Sequence, residues 1–265
     1  MKSFFSFFQL LKTDLHRAIL SPSFALGALA ALLVLYMGSI GMTGPTVPAA
    51  TAFLHSFGFN NITDLFALTS TFAYAAQFAS EWQSGYYRPV VMRSSPAQYA
   101  LSKCAATGIS GGLSISLGAL VYMIWLCLTR PQMIPERRMI DVEAFMFRET
   151  LQMGRITLYF LCFLYWIFLV GLFFSILGLT LSGWFPHKYV AYASPFVGSF
   201  LINKLLGSIR PMPPAWINPV QLAACRLLGY STVTTLLIGT GMFLLYASIC
   251  SFFFVRTVKR RIANG

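Results

Sequence analysis

The sequence predicts an all-α integral membrane protein: six transmembrane helices preceded by an N-terminal amphipathic interfacial helix. Three observations lead there. Apolar residues make up 57% of the 265-residue chain and charged residues only 10%, against about 25% charged in a typical soluble domain. Apolar runs of spanning length alternate with short polar stretches. The basic residues collect at the ends of those runs and form no continuous stripe, which fits membrane orientation better than nucleic-acid binding.

The first element is residues 1–23. Phe4, Phe8, Leu11, Leu15 and Ala18 recur at helical spacing, with Lys12, Thr13, His16 and Arg17 mostly on the other side. That is the pattern of a helix lying in a membrane interface. A helix packed on a soluble partner has the same period, but this one leads through Ser21 and Pro22 straight into a spanning segment. Asp14 and His16 interrupt the segment and no small-residue cleavage site follows, so it does not read as a secretory signal and is expected to be retained.

Residues 24–265 hold the spans, each needing about 20 apolar residues to cross about 30 Å of hydrocarbon. The first runs from Phe24 to Met42 and is broken by Gly44, Pro45 and Pro48. The second, Leu65 to Ala79, is short. The third covers Ala100 to Leu128, and the fourth and most apolar covers Ile156 to Leu181. The fifth, Tyr189 to Leu206, contains Pro195 and Lys204, and the sixth, Tyr230 to Val255, stops at a basic tail. Among the connections, residues 81–99 form a cytoplasmic loop. Residues 129–154 form an external loop whose alternating charges around Val142, Phe145, Met146 and Leu151 predict a short surface helix. Residues 207–229, with Pro211, Pro213, Pro214 and Pro219, form an external or re-entrant segment.

With both termini in the cytoplasm of a cell-membrane protein, the cytoplasmic side carries eleven basic residues against Asp14 and Glu81. The other side carries the remaining eight against five acids. The net charges, +9 and +3, favour this orientation over its inverse.

The most informative stretch is Glu81 to Lys103. It starts with an acid at a helix end, passes Gly85 and the pair Tyr86 and Tyr87, and re-enters the membrane after Ser95 and Pro96, residues suited to a helix start. The order Glu81, Gly85, Arg88, Ser94 or Ser95, Tyr99 and Lys103 resembles the loop between the second and third helices of ATP-binding-cassette (ABC) transporter permeases of the type 2 exporter class. The resemblance extends to the architecture: an interfacial helix, six spans and a proline-broken segment before the last. It implies that residues 1–23 are a connecting helix and that Glu81, Trp82, Gly85, Tyr86, Tyr87 and Arg88 form the segment coupled to an ATPase. Trp184 to Lys188 would make a smaller contact. It further implies a nucleotide-binding ATPase subunit carrying ATP and Mg, a second permease copy or related permease, and export of an amphiphilic, peptide-like or lipid-like substrate. No Gly-x-x-x-x-Gly-Lys-Ser/Thr phosphate loop occurs in this chain, so no cofactor is expected on it and ATP hydrolysis belongs to a partner.

Other motifs point to packing. Gly108, Gly112 and Ser116 make a small-xxx-small face on the third span. Gly108 to Gly111 also matches the Gly-x-Ser-Gly around the nucleophile of intramembrane serine proteases, but His16, His55 and His187 all fall outside the spans, leaving Ser110 without a base. No acid lies near a span centre, which argues against a proton-driven carrier. Lys204 is expected to snorkel. The five cysteines show no CxxC pair and no metal-ligand spacing, and read as small core residues. An accessory or anchoring membrane protein without a transport path is the alternative to an exporter subunit.

Overall fold

Helices α1 (Lys2–Ile19) and α2 (Pro22–Gly38) meet at a 56° bend. The bend has a local cause: Ser21 leaves helical geometry, caps the amide of Phe24 with its hydroxyl, and precedes Pro22 at the first position of α2. The computed structural model describes residues 2–40, 47–58, 63–130, 132–136, 145–209, 214–225, 227 and 229–264. The expected breakers Gly44 and Pro45, the residues Arg137, Arg138, Asp141, Val142 and Glu143, and the prolines Pro211 and Pro213 lie outside them, as does the side chain of Phe4.

After α2 come α3 (Ala49–Gly58), α4 (Thr63–Thr69), a 3-10 turn (Ser70–Phe72), α5 (Gln77–Gln83) and α6 (Tyr87–Arg93). The long α7 (Pro96–Thr129) follows, then α8 (Arg148–Gln152), α9 (Ile156–Trp184), α10 (Lys188–Gly207), α11 (Pro219–Ala223) and α12 (Thr232–Asn264). The described residues are all-helical, with no strand. Among the described residues three helices, α7, α9 and α12, are long and apolar enough to cross a membrane, and the bent pair of α1 and α2 would add a fourth if it forms one span.

That differs from six continuous spans, and each difference has a reason. Instead of one helix over Leu65 to Ala79, the chain breaks into α4, a 3-10 turn and α5. Thr69, Ser70 and Thr71 hydrogen-bond their hydroxyls to the carbonyls of Phe66, Ala67 and Leu68, a local competition that tightens the helix. The first span is 17 residues long, about 26 Å. Helix α10 has spanning length but, with Lys188, Asn203 and Lys204 among its residues, falls short of spanning apolarity. The sixth predicted span ends too early: α12 continues through Arg256, Lys259, Arg260 and Arg261 to Asn264.

The packing centres on α7 and α9, with α2 and α1 against α7, α12 against both, and α10 against α9 and α4. Small residues permit the approach. A Cβ on Gly112 would meet the Phe168 carbonyl at 2.7 Å, and one on Gly108 would meet Ile176 Cδ1 at 2.8 Å. The aromatic heart of the core is Phe53 and Phe57 on α3 against Tyr122, Tyr159, Phe163 and Trp166. Phe145, Met146 and Leu151, expected at a surface, are buried in this same core. Half of α1 also turns inward: Leu11, Leu15 and Ala18 pack on Tyr74 and Ala106.

Candidate functional site

One end of the bundle gathers α1, the start of α7, the α5–α6 loop, the α9–α10 loop and the end of α12. Gln83 donates to the carbonyl of Pro186 at 2.9 Å, Trp184 Nε1 donates to Thr257 at 3.1 Å, and Phe78, Tyr99, Leu179, Phe254 and Val258 form a common apolar cluster.

Beneath the loop lies a buried charge cluster. Helix α7 begins with a capping box, Ser95 bonding the amide of Gln98 and Gln98 the amide of Ser95, which fixes the first turn. Tyr99 and Lys103, one turn apart, then face the same side. Asp14 sits on the inward face of α1 with Leu11, Leu15 and Ala18, and Glu81 on α5. Asp14 and Lys103 are 2% exposed and Glu81 is 3% exposed.

The Lys103 ammonium has three protons and three acceptors: Asp14 Oδ1 at 2.8 Å, Glu81 Oε1 at 2.8 Å and the Tyr74 hydroxyl at 3.2 Å. Tyr74 in turn donates to Asp14 Oδ1 at 3.1 Å, and Ser102 donates to Asp14 Oδ2 at 2.7 Å. Tyr99 donates to Glu81 Oε2 at 2.8 Å, while Gln77 reaches Oε1 at 3.3 Å. Two carboxylates facing one ammonium leave an excess negative charge, and the Arg17 guanidinium, 3.4 Å from Glu81 Oε1, offsets it from the rim. Buried ions are tolerated only when fully paired and bonded, and every carboxylate oxygen here has a partner. The arrangement ties α1, α5 and α7 into one body.

The loop residues divide between this interior and the surface. Glu81 faces inward and is occupied. Trp82 is half-buried, stacked on Tyr87 with centroids 4.2 Å apart and planes 7° apart, and Arg261 of α12 lies 5.7 Å over its ring. Gly85 has φ +74°, the left-handed conformation that glycine adopts without steric cost, and it turns the chain from α5 into α6. Tyr86 is 50% exposed with Arg17 over its ring, and Arg88 is exposed.

Gly108, Gly112 and Ser116 all face α9, the last through a 3.3 Å bond to the Leu164 carbonyl. Ser110 is buried and donates to the Thr107 carbonyl at 3.2 Å. His16 lines a cleft at the loop end, whereas His55 bonds the Gly38 carbonyl. Lys204 lies 5.6 Å over the ring of Phe200. Among the described residues the cysteines are all free, and no three His, Cys, Asp or Glu side chains gather as metal ligands would.

Sequence reasoning placed Glu81, Tyr99 and Lys103 in one loop motif without pairing them, and did not join Asp14 or Tyr74 to them. Asp14 was legible only as an interruption of the N-terminal segment and as one of two acids on the cytoplasmic side. Tyr74, a phenol inside an apolar run, gave no signal. Comparison with protein-family models, curated proteins and solved structures finds no match.

Proposed function

We propose that this chain is the membrane permease subunit of an ATP-driven exporter of the type 2 ABC class, moving an amphiphilic, peptide-like or lipid-like substrate out of the cytoplasm. The reading rests on the resemblance of Glu81 to Lys103 to the coupling loops of that class. The observation that carries it further is mechanical. The α5–α6 loop presents Tyr86, Arg88, Met92 and Arg93 outward, while Glu81 at its root is bonded to Lys103 and, through it, to Asp14. A push on the exposed side chains is thereby transmitted to α1 and α7 together.

Six crossings remain the topology that best accounts for the path. The bend after α1 and the end of α12 lie at the same end of the bundle, which fits an even number of crossings. Helix α2, the broken α4–α5 segment, α7, α9, α10 and α12 would make six. The basic residues Arg88, Arg93, Arg256, Lys259 and Arg260 would then face the cytoplasm with both termini. The working unit would be a pair of permeases in the cell membrane with separate ATPase subunits that bind ATP and Mg.

The test is copurification in mild detergent with a coexpressed cassette ATPase. The wild-type chain is expected to retain it, and Y86A/R88A, which leaves the buried cluster untouched, is expected to lose it with an unchanged elution profile. A folded chain that retains no ATPase would reject the exporter reading in favour of an anchoring role.

A further inference from the structure

A cleft of about 590 Å³ opens where α1 bends into α2, between that bend, the broken segment Phe72–Gln77 and the start of α10. Its charged lining is of one sign. Arg17 comes from the last turn of α1, next to His16, and Lys188 from the first turn of α10, and no carboxylate is among the described residues that line it. The acids behind the wall, Glu81 and Asp14, are committed to Lys103, Tyr99, Tyr74 and Ser102. Arg17 reaches it with only one nitrogen, at 3.4 Å, which leaves the rest of the fork available. Ser21, Ser80 and Gln77 add polar groups between the cations.

The surroundings of the cleft are apolar. Leu20 at its lip is exposed, and Leu26, Leu29 and Leu33 continue from it along α2 as an exposed track, spaced as one face of a helix. Tyr189, beside Lys188, is exposed as well. A cationic, hydrogen-bonding cup at the head of an exposed leucine track matches a molecule with an anionic head and a hydrocarbon tail. Arginine and lysine in this combination fit phosphate oxygens.

We propose that this cleft binds the phosphate-bearing headgroup, net anionic rather than zwitterionic, of an amphiphile whose acyl chain lies along Leu26, Leu29 and Leu33. The site deepens the exporter reading by naming the headgroup chemistry of its amphiphile. Its binding is nevertheless measured on the chain alone, with no ATPase present, so either can fail without the other.

The probe is phosphatidylglycerol, compared with phosphatidylcholine and with free glycerol phosphate, titrated onto the purified chain in neutral detergent and read by native mass spectrometry. Phosphatidylglycerol is expected to be retained in preference to phosphatidylcholine. K188Q is expected to weaken it on the order of tenfold, the equivalent of one charge-assisted hydrogen bond, and R17Q/K188Q more. L29N/L33N should weaken it with the cup intact, and the thermal unfolding midpoint of each variant reports whether it is folded. Equal retention of the two lipids, or retention unchanged in a folded R17Q/K188Q variant, overturns the site. Glycerol phosphate binding as strongly as the lipid overturns the amphiphile assignment.

Discussion

Asp14 and Lys103, 89 residues apart in sequence, meet at 2.8 Å inside the bundle and thereby fix the first helix to the long helix that begins after the α5–α6 loop. An interfacial helix held only by its apolar stripe could slide or tilt on its support. One held by a buried ion pair has a single register, because any shift strands a charge.

The first prediction concerns that penalty. Lys103→Met leaves two buried carboxylates facing each other, and removing one member of such a set costs about 3–5 kcal/mol. The thermal unfolding midpoint in detergent should fall sharply. D14L/E81L/K103M, which removes all three charges, should recover most of the loss, since apolar replacement of a whole buried ionic set is often neutral. A triple variant no better than K103M would show that the cluster stabilises by shape and not by charge balance.

A second prediction separates two kinds of glycine. A methyl on Gly112 meets the Phe168 carbonyl and ring, all within 2.8 Å, so G112A should destabilise by about 1–3 kcal/mol, the usual cost of overpacking. Gly241 on α12 has no atom within 4 Å of its virtual Cβ, and G241A should be neutral or gain about 0.5–1 kcal/mol in helix propensity. Paired unfolding curves check both. Equal effects would refute the close α7–α9 approach.

The loop supplies a third. Trp82 is held between Tyr87 and Arg261, so W82A should lower stability by about 1–3 kcal/mol through lost stacking and burial. Tyr86 is largely solvent-exposed, and Y86A should stay within about 0.5 kcal/mol of wild type. Limited tryptic proteolysis at Arg93 gives an independent reading: W82A should be cut faster, Y86A at the wild-type rate.

How much of this was legible in the sequence follows from what each feature depends on. The helices α7 and α9 depend on local apolarity, and the sequence located both within a few residues. The capping pair Ser95 and Pro96 marked the start of α7 for the same reason. Helix α3 was missed because Phe53 and Phe57 lie between glycine- and proline-rich breakers in a run too short to span, and only their contacts with Tyr122 and Phe163 show why they form a core element. The charge cluster was missed because its members lie on three separated segments. Glu81 and Asp14 counted as cytoplasmic charges, and nothing local distinguishes a solvated acid from one buried against Lys103.

The broken segment carries the last prediction. The Ser70 carbonyl opens the 3-10 turn, and Ser175 on α9 donates a side-chain hydrogen bond to it at 2.8 Å. A carbonyl has two lone pairs, and this second bond ties the break to α9 with a contribution of about 0.5–1.5 kcal/mol. Ser175→Ala removes the donor while keeping the small side chain that Gly111 packs against. The expected result is a loss of about 0.5–1.5 kcal/mol and faster amide hydrogen exchange from Ala73 to Gln77, the stretch that follows the turn. Exchange there at the wild-type rate, with stability unchanged, would mean that Thr69, Ser70 and Thr71 hold the break by their own hydroxyl bonds, independently of α9. S175T tests the donor itself: a restored hydroxyl should bring back slow exchange, even if the added methyl costs some packing against Gly111.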